Sequence, residues 1–450
     1  MRSARDQLRA VPLVPAFFIL PLSLDFKSNE VGGSVWQYLL VGLTFFGFAL
    51  YVVSRRMPRP RGMFWGACSL CMFIVLGGSV LSFLVNRPPA DQYARVILPF
   101  VLFWAAYLVS VSMCNRGRYE MLSRLITIGC AVSTAFSVPA GFLLSGADTS
   151  DVRYQILSPV LIFFEAILLH NIFVTGRRKR MSQLLLAACV GLQLISVTRS
   201  ALLALFIVFA ATLWLTTPRL GGFIRRAIRM VIPALFVGFV AYQATTLVAP
   251  EVAGRWEVRT STIERSGADA TTLSRLAEMK EQLDRWSSSV TSMLVGQSYG
   301  ANYTWSKDFW DAMLATQEWR LETVDRERFE FGHSFWTSSL FSGGVLFGTA
   351  LPLLLLYATY TGTAHARHLL RQRRDPWSFE VQAKATLFLV ATLASTIGSN
   401  PFALRYSALV GGLALGILVV TRRMQQEQDR ATDLMHRSAA GHFPAQPMLR

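Results

Sequence analysis

Apolar stretches recur along this 450-residue chain, at about 11–24, 35–53, 63–85, 93–114, 125–145, 159–175, 183–197, 201–216, 230–248, 339–360, 385–399 and 405–421. Most approach the roughly 20 residues that a helix needs to cross a bilayer. A segment inside lipid must satisfy its own backbone N–H and C=O groups, which a helix does within one stretch of chain. Only 16% of the residues are charged, against about 25% in a typical soluble domain. The expected fold class is therefore an all-α polytopic membrane protein with about 12 transmembrane helices.

The connections between these stretches alternate in charge. Arg55 and Arg56 follow the second stretch, Arg116 and Arg118 the fourth, and Arg177 and Arg178 the sixth. Arg225 and Arg226 follow the eighth, Arg371 and Arg373 the tenth, and Arg422 and Arg423 the twelfth. Cytoplasmic loops collect Lys and Arg, so both termini are expected in the cytoplasm. The net charge of +17 then reflects topology, and no nucleic-acid partner is expected. Arg2, Arg5 and Arg9 precede the first stretch as they would in a signal peptide. No small-residue cleavage site follows, and the stretch is read as an uncleaved first span.

One segment breaks the pattern. From Glu251 to Glu330 the chain carries fourteen acidic against ten basic residues, leaving 13 acidic against 34 basic elsewhere. Such a reversal is expected of a loop lying across the membrane from the basic connections. The chain thus divides into an N-terminal bundle of about nine helices (1–248), a large outer loop (249–338), C-terminal membrane helices (339–421) and a cytoplasmic tail (422–450). The tail is expected to start as a helix continuing the last span and to end in disorder.

Inside the loop, Leu273, Leu276, Leu283, Trp286 and Val290 recur at helical spacing. They predict an amphipathic helix over 272–290 with Ser274 as N-cap. Gly296–Gly300 predicts a turn. Trp305, Phe309, Trp310 and Trp319 then form an aromatic patch, read either as interfacial anchors or as a platform for stacking sugars. The five cysteines all fall in apolar stretches and are read as packing residues, Cys68 and Cys71 included.

Of the six histidines, only His333 is expected on the outer face, where it could serve as a general base. Its alternative is a structural interfacial histidine. Arg199, between two stretches at the outer boundary, favours an anionic partner or else snorkels to headgroups. Arg275 on the loop helix is either a second anion ligand or an exposed charge paired with Glu278 or Glu281. Arg405 is a further boundary arginine, and Glu165, buried in the sixth stretch, suits a proton relay or a structural pair. Arginine forks suit a diphosphate. No Walker-type loop or metal-ligand spacing occurs, so neither metal nor cofactor is expected.

Three features in order carry a resemblance. The first is Thr198-Arg199-Ser200-Ala201-Leu202-Leu203. The second is Ser274-Arg275-Leu276, then Trp286, then Leu294-Val295-Gly296-Gln297-Ser298-Tyr299-Gly300. The third is Gly332-His333-Ser334-Phe335-Trp336, then Ser342-Gly343-Gly344. Together they resemble the O-antigen ligase superfamily, which includes polysaccharide polymerases and protein O-oligosaccharyltransferases. The resemblance implies a GT-C-like membrane glycosyltransferase with one large periplasmic loop, in the bacterial inner membrane. It implies transfer of a glycan from an undecaprenyl diphosphate donor to an acceptor hydroxyl, on lipid A–core for a ligase or on another carrier-linked glycan for a polymerase. It further implies His333 as catalytic base and Arg199 and Arg275 as diphosphate ligands. Ser334 stands where the family often has Asn, and Ser342-Gly343-Gly344 replaces a frequent acidic position. A lipid-linked glycan flippase is the rival from another class. It would more often show internal repeats and midplane polar sites.

Overall fold

The computed structural model describes residues 13–27, 35–54, 62–113, 116–144, 155–230, 269–316, 329–372 and 375–439, with a few isolated positions such as Val324 besides. The apolar stretch at 230–248, Trp319 and the end of the tail (440–450) lie outside the described residues or nearly so. Within the described residues the chain is helical, and its one extended pairing is an isolated bridge between Tyr303 and Phe329.

The helices are α1 (Leu13–Ile19), α2 (Val35–Ser54), α3 (Met63–Asn86), α4 (Ala90–Met113), α5 (Arg116–Leu144), α6 (Leu161–His170), α7 (Lys179–Ile195) and α8 (Arg199–Thr216). In the loop come α9 (Ala270–Trp286), α10 (Val290–Val295) and α11 (Trp310–Ala315). Then follow α12 (Phe335–Gly343), α13 (Ala350–Gln372), α14 (Pro376–Ser395) and α15 (Arg405–Ala439). Six are long and apolar enough to cross a membrane (α2, α3, α4, α5, α8 and α15), or seven if the bent pair 335–372 counts as one. The described residues thus fall short of the expected twelve.

The shortfall has physical causes. The first stretch makes only α1 and a 3₁₀ turn over Leu20–Leu24. α6 passes into a π-helical turn at Asn171–Thr175. The stretch 339–360 is not a straight helix: α12 passes through a π turn at Gly344–Gly348 and meets α13 at 85°. α14 lies inside the bundle, with Val381–Thr392 buried throughout. A helix wrapped by other helices can carry Gln382, Lys384 and Thr386, which lipid would not accept.

α4 and α15 make the bundle's spine. Backbones in lipid associate by close packing at small residues. A Cβ at Gly412 would collide with the Phe103 carbonyl, and one at Gly416 would come within 2.7 Å of Ser110. The Ser110 hydroxyl donates across the contact to the Leu413 carbonyl at 2.9 Å. All four described cysteines are free and buried, as packing residues should be.

The loop helices dock on this frame through a backbone junction. Gln297 N–H donates to the Phe341 carbonyl (2.6 Å) and Ser298 N–H to the Ser342 carbonyl (3.1 Å). Asn86 on α3 donates to the Gly296 carbonyl at 3.2 Å. Gly296 and Gly344 face each other here with φ of +80° and +60°, a region only glycine enters cheaply. A Cβ on either would strike the other's backbone neighbours. Gly344→Ala should therefore lower stability by about 2–4 kcal/mol. Gly42→Ala, where a Cβ meets nothing within 4 Å, should be neutral or mildly stabilising. Unfolding midpoints in detergent compare the two; equal midpoints would remove the junction from this account.

Candidate functional site

α9 begins at Ala270, not at the expected 272, and its N-cap is Asp269 rather than Ser274. The Asp269 carboxylate accepts from Thr272 N–H at 3.1 Å. The helix ends at Trp286, and a second helix, α10, starts after Ser289. Positions 271, 275, 278 and 282 fall on one face of α9 by their three- and four-residue spacing. The other face, with Leu273 and Ala277, packs on Trp305, Met313 and Val324. Trp305 is buried, and Phe309, Trp310 and Phe329 pack around it. The described aromatics of the patch therefore form the loop's own small core, which neither expected role foresaw.

The inward face of α9 meets the turn before α12. His333 lies one residue ahead of Ser334, whose hydroxyl caps α12 by accepting from Thr337 N–H at 3.4 Å. Ser and Asn are both strong N-caps, so Ser334 fills this structural role without loss. Phe335, fully buried, stacks on Phe402 (centroids 5.3 Å apart), which stacks on Phe100 (4.7 Å). This column anchors the turn to the bundle.

Glu278 holds His333 from both sides. One carboxylate oxygen accepts the His333 backbone N–H at 2.6 Å, and the other meets the ring Nδ1 at 2.7 Å. An ionised carboxylate only accepts, so Nδ1 donates and Nε2 keeps its lone pair. Glu278 is 1% exposed, whereas 53% of the His333 side chain is open. Burial and the nearby Glu278 charge hold the Tyr303 phenol well above its ordinary range, so it stays protonated beside the pair. The two carboxylates expected beside Arg275 have other partners: Glu278 is engaged by His333, and Glu281 accepts from Arg285 at 2.6 Å.

His333 and Arg275 line one cavity of about 440 Å³. Leu161, Ile162 and Leu404 give it an apolar wall, and Lys27, Thr198 and Ser200 line it as well. Lys27 keeps part of its surface open, yet desolvation lowers its ammonium to about 8. The cavity suits an amphiphile with an anionic head.

The other expected residues stand around it. Thr198 and Ser200 reach the cavity, but the Arg199 guanidinium between them pairs with Asp269. Arg405 sits over the Tyr38 ring at 5.7 Å. Burial raises Asp25 to about 6, with the Arg405 charge and a hydrogen bond from Gln37 opposing it. Glu165 is fully buried, and Gln193, itself on the cavity wall, donates to its two oxygens at 2.9 and 3.1 Å. Glu278, Asp269 and Lys27 are the residues that sequence reasoning did not assign. Glu278 entered the sequence reading only as a partner for Arg275, although the 271–275–278–282 spacing puts it on the same face of the helix; Asp269 is an ordinary N-cap type. Nothing in the sequence pointed to Lys27, because the fold alone brings it here.

Asp269 both caps α9 and receives Arg199 from α8. Asp269→Ala should cost about 1–2 kcal/mol and speed hydrogen exchange at the first amides of α9; unchanged exchange there would refute the tie. No family model matches the chain and no curated protein matches it.

Proposed function

We propose that the protein is a membrane glycosyltransferase of the O-antigen ligase type. It moves a glycan from undecaprenyl diphosphate to a hydroxyl of lipid A–core at the periplasmic face of the bacterial inner membrane. One observation carries this reading: Arg275 and Lys27 bring cations into the cavity that His333 lines, and Glu278 fixes His333 with Nε2 free to take a proton. The loop 249–338 is then periplasmic and the termini cytoplasmic. Support comes from the far end of the bundle, where Arg124 and Arg177 of two basic connections share a second cavity. Arg367 is also there, donating to the carbonyls of Trp214 and Pro218 at 3.1 Å.

In the proposed step the acceptor hydroxyl gives its proton to Nε2 of His333. Its oxygen bonds to the anomeric carbon from the face opposite the leaving group. The bond from that carbon to the diphosphate oxygen breaks, and the electron pair leaves with the carrier diphosphate. Arg275 and Lys27 offset the charge developing there, and the product has inverted configuration. Glu278 stabilises the imidazolium as it forms, as a buried carboxylate does in other base–orienter pairs. Arg199 acts through Asp269, holding α9 and thus Arg275 in place.

A reconstituted assay with purified carrier-linked glycan and lipid A–core tests the reading. His333→Ala should lower turnover by about 10²- to 10⁴-fold. Glu278→Gln should lower it over a similar range, because an amide donating to Nδ1 would move the ring proton to Nε2. Wild-type turnover in a folded His333→Ala protein would end the assignment, and product lengthened on the carrier instead of on lipid A–core would assign a polymerase. Lys27 adds a pH signature. It is charged below about 8 and neutral above, so donor affinity should fall as pH rises from 7 to 9. Lys27→Met should bind more weakly at pH 7 and lose that pH dependence. A pH-independent donor affinity in the wild type would remove Lys27 from the site.

A further inference from the structure

The bundle holds a second cavity, of about 400 Å³, at the end away from His333. α14 connects the two: Ser395 at its C-terminus lines the His333 cavity, and Trp377 and Lys384 near its N-terminus line this one. About 27 Å of helix separates Trp377 from Ser395. The charged and titratable groups around the second cavity are Tyr119, Glu120, Arg124, His170, Arg177, Glu380 and Lys384. None belongs to the proposed transfer step.

Two of these groups are left incomplete by the protein. Lys384 is 8% exposed, and its ammonium donates to the hydroxyls of Ser123 (2.7 Å) and Thr127 (3.3 Å). An ammonium has three N–H donors, and no carboxylate among the described residues lies within ion-pair distance of it. A buried cation without an anion is costly, and Glu380 does not supply one, lying instead 4.0 Å from Arg177. His170, 4% exposed, is the second group. Its Nε2 lies 2.9 Å from the Glu380 carbonyl. A carbonyl only accepts, so Nε2 carries the proton and Nδ1 of the neutral ring is an acceptor. That Nδ1 is buried with no hydrogen-bond partner among the described residues.

The missing ligand must therefore present a negative charge to Lys384 and a hydroxyl donor to His170. We propose that this cavity binds a phosphate group that carries, or sits beside, a free hydroxyl. Two sources have that chemistry: the headgroup of an anionic phospholipid such as phosphatidylglycerol, and soluble hydrogen phosphate. Arg124 and Arg177 at the rim add charge-assisted donors. Trp377 and Tyr119, edge-to-face at 5.8 Å, give the rim the amphipathic aromatics found at headgroup depth. Basic pockets between helices are ordinary headgroup sites on the cytoplasmic side of a membrane.

The test measures the unfolding midpoint of the purified full-length protein in uncharged detergent. The additions are inorganic phosphate, phosphatidylglycerol, phosphatidylmethanol (the charge without the hydroxyl) and phosphatidylcholine as neutral control. Phosphatidylglycerol or phosphate should raise the midpoint beyond phosphatidylcholine, and phosphatidylmethanol should raise it less. Stabilisation by the lipid alone identifies a headgroup as the source, and stabilisation by both identifies the phosphate itself. Lys384→Met should weaken the response about tenfold or more, the loss expected for one charge-assisted contact. It should leave the ligand-free protein no less stable, because an unpaired charge has been removed. Arg124→Ala, at an exposed position, should also weaken the response and decides the matter if Lys384→Met does not fold. A wild-type midpoint that ignores all the anionic additions, or variants that respond as the wild type does, would overturn the proposal.

Discussion

A buried carboxylate can survive only where its oxygens are spoken for, and Glu278 is such a group. Stripping the partners from a buried polar group leaves its full desolvation penalty uncompensated, a larger loss than that of the exposed ion pairs elsewhere on α9. Glu278 draws a backbone N–H and a ring N–H from the same residue, His333. Those two bonds fix the rotation of α9 about its axis and the orientation of the imidazole together. With α9 so fixed, Arg275 one turn earlier faces the cavity, and Leu273 and Ala277 face the aromatic core of the loop. The site and the loop's packing thus depend on one contact across 55 residues of chain.

The membrane frame follows a different economy. Lipid demands apolar surface only from helices that touch it, so the outer helices read plainly as spans while α14 does not. Its Gln382, Lys384 and Thr386 are buried by protein, and Gln382 accepts from Thr421 at 2.7 Å on α15. Small residues let α15 approach α4 closely enough for side-chain-to-backbone hydrogen bonds within the bundle. Polar groups then concentrate at the two ends of α14, where the cavities are.

This division explains what could be read from the sequence. His333 and Arg275 were legible because each stood out locally: one histidine expected on its face, one arginine on an amphipathic helix. The existence of α9 and the turn at Gly296–Gly300 were legible for the same reason. The Glu278–His333 bond was not, because its partners are far apart in sequence and Glu278 had nearer cations to choose among. Asp269 and Ser274 are both good caps, and only the entry path of the chain selects Asp269. The stretch 339–360 looked continuous because hydropathy is blind to direction. The Gly343-Gly344 pair and Gly348 were the trace of its bend. Arg199 was marked as needing an anion, and the structure supplies one from within as Asp269, a distinction that charge alone does not make.

α15 has one more property that follows from its length. It runs for 35 residues, or about 52 Å, whereas the hydrocarbon layer is about 30 Å thick. It starts beside the His333 cavity, where Leu404 and Ser407 form part of the wall. The surplus, about 20 Å, must stand clear of the bilayer on the opposite side as a stiff post. Ala439, at the tip of that post, lies about 48 Å along the helix from Ser407 on the cavity wall, so a fluorescent reporter placed there would sit far from His333 while still being held rigidly to the bundle.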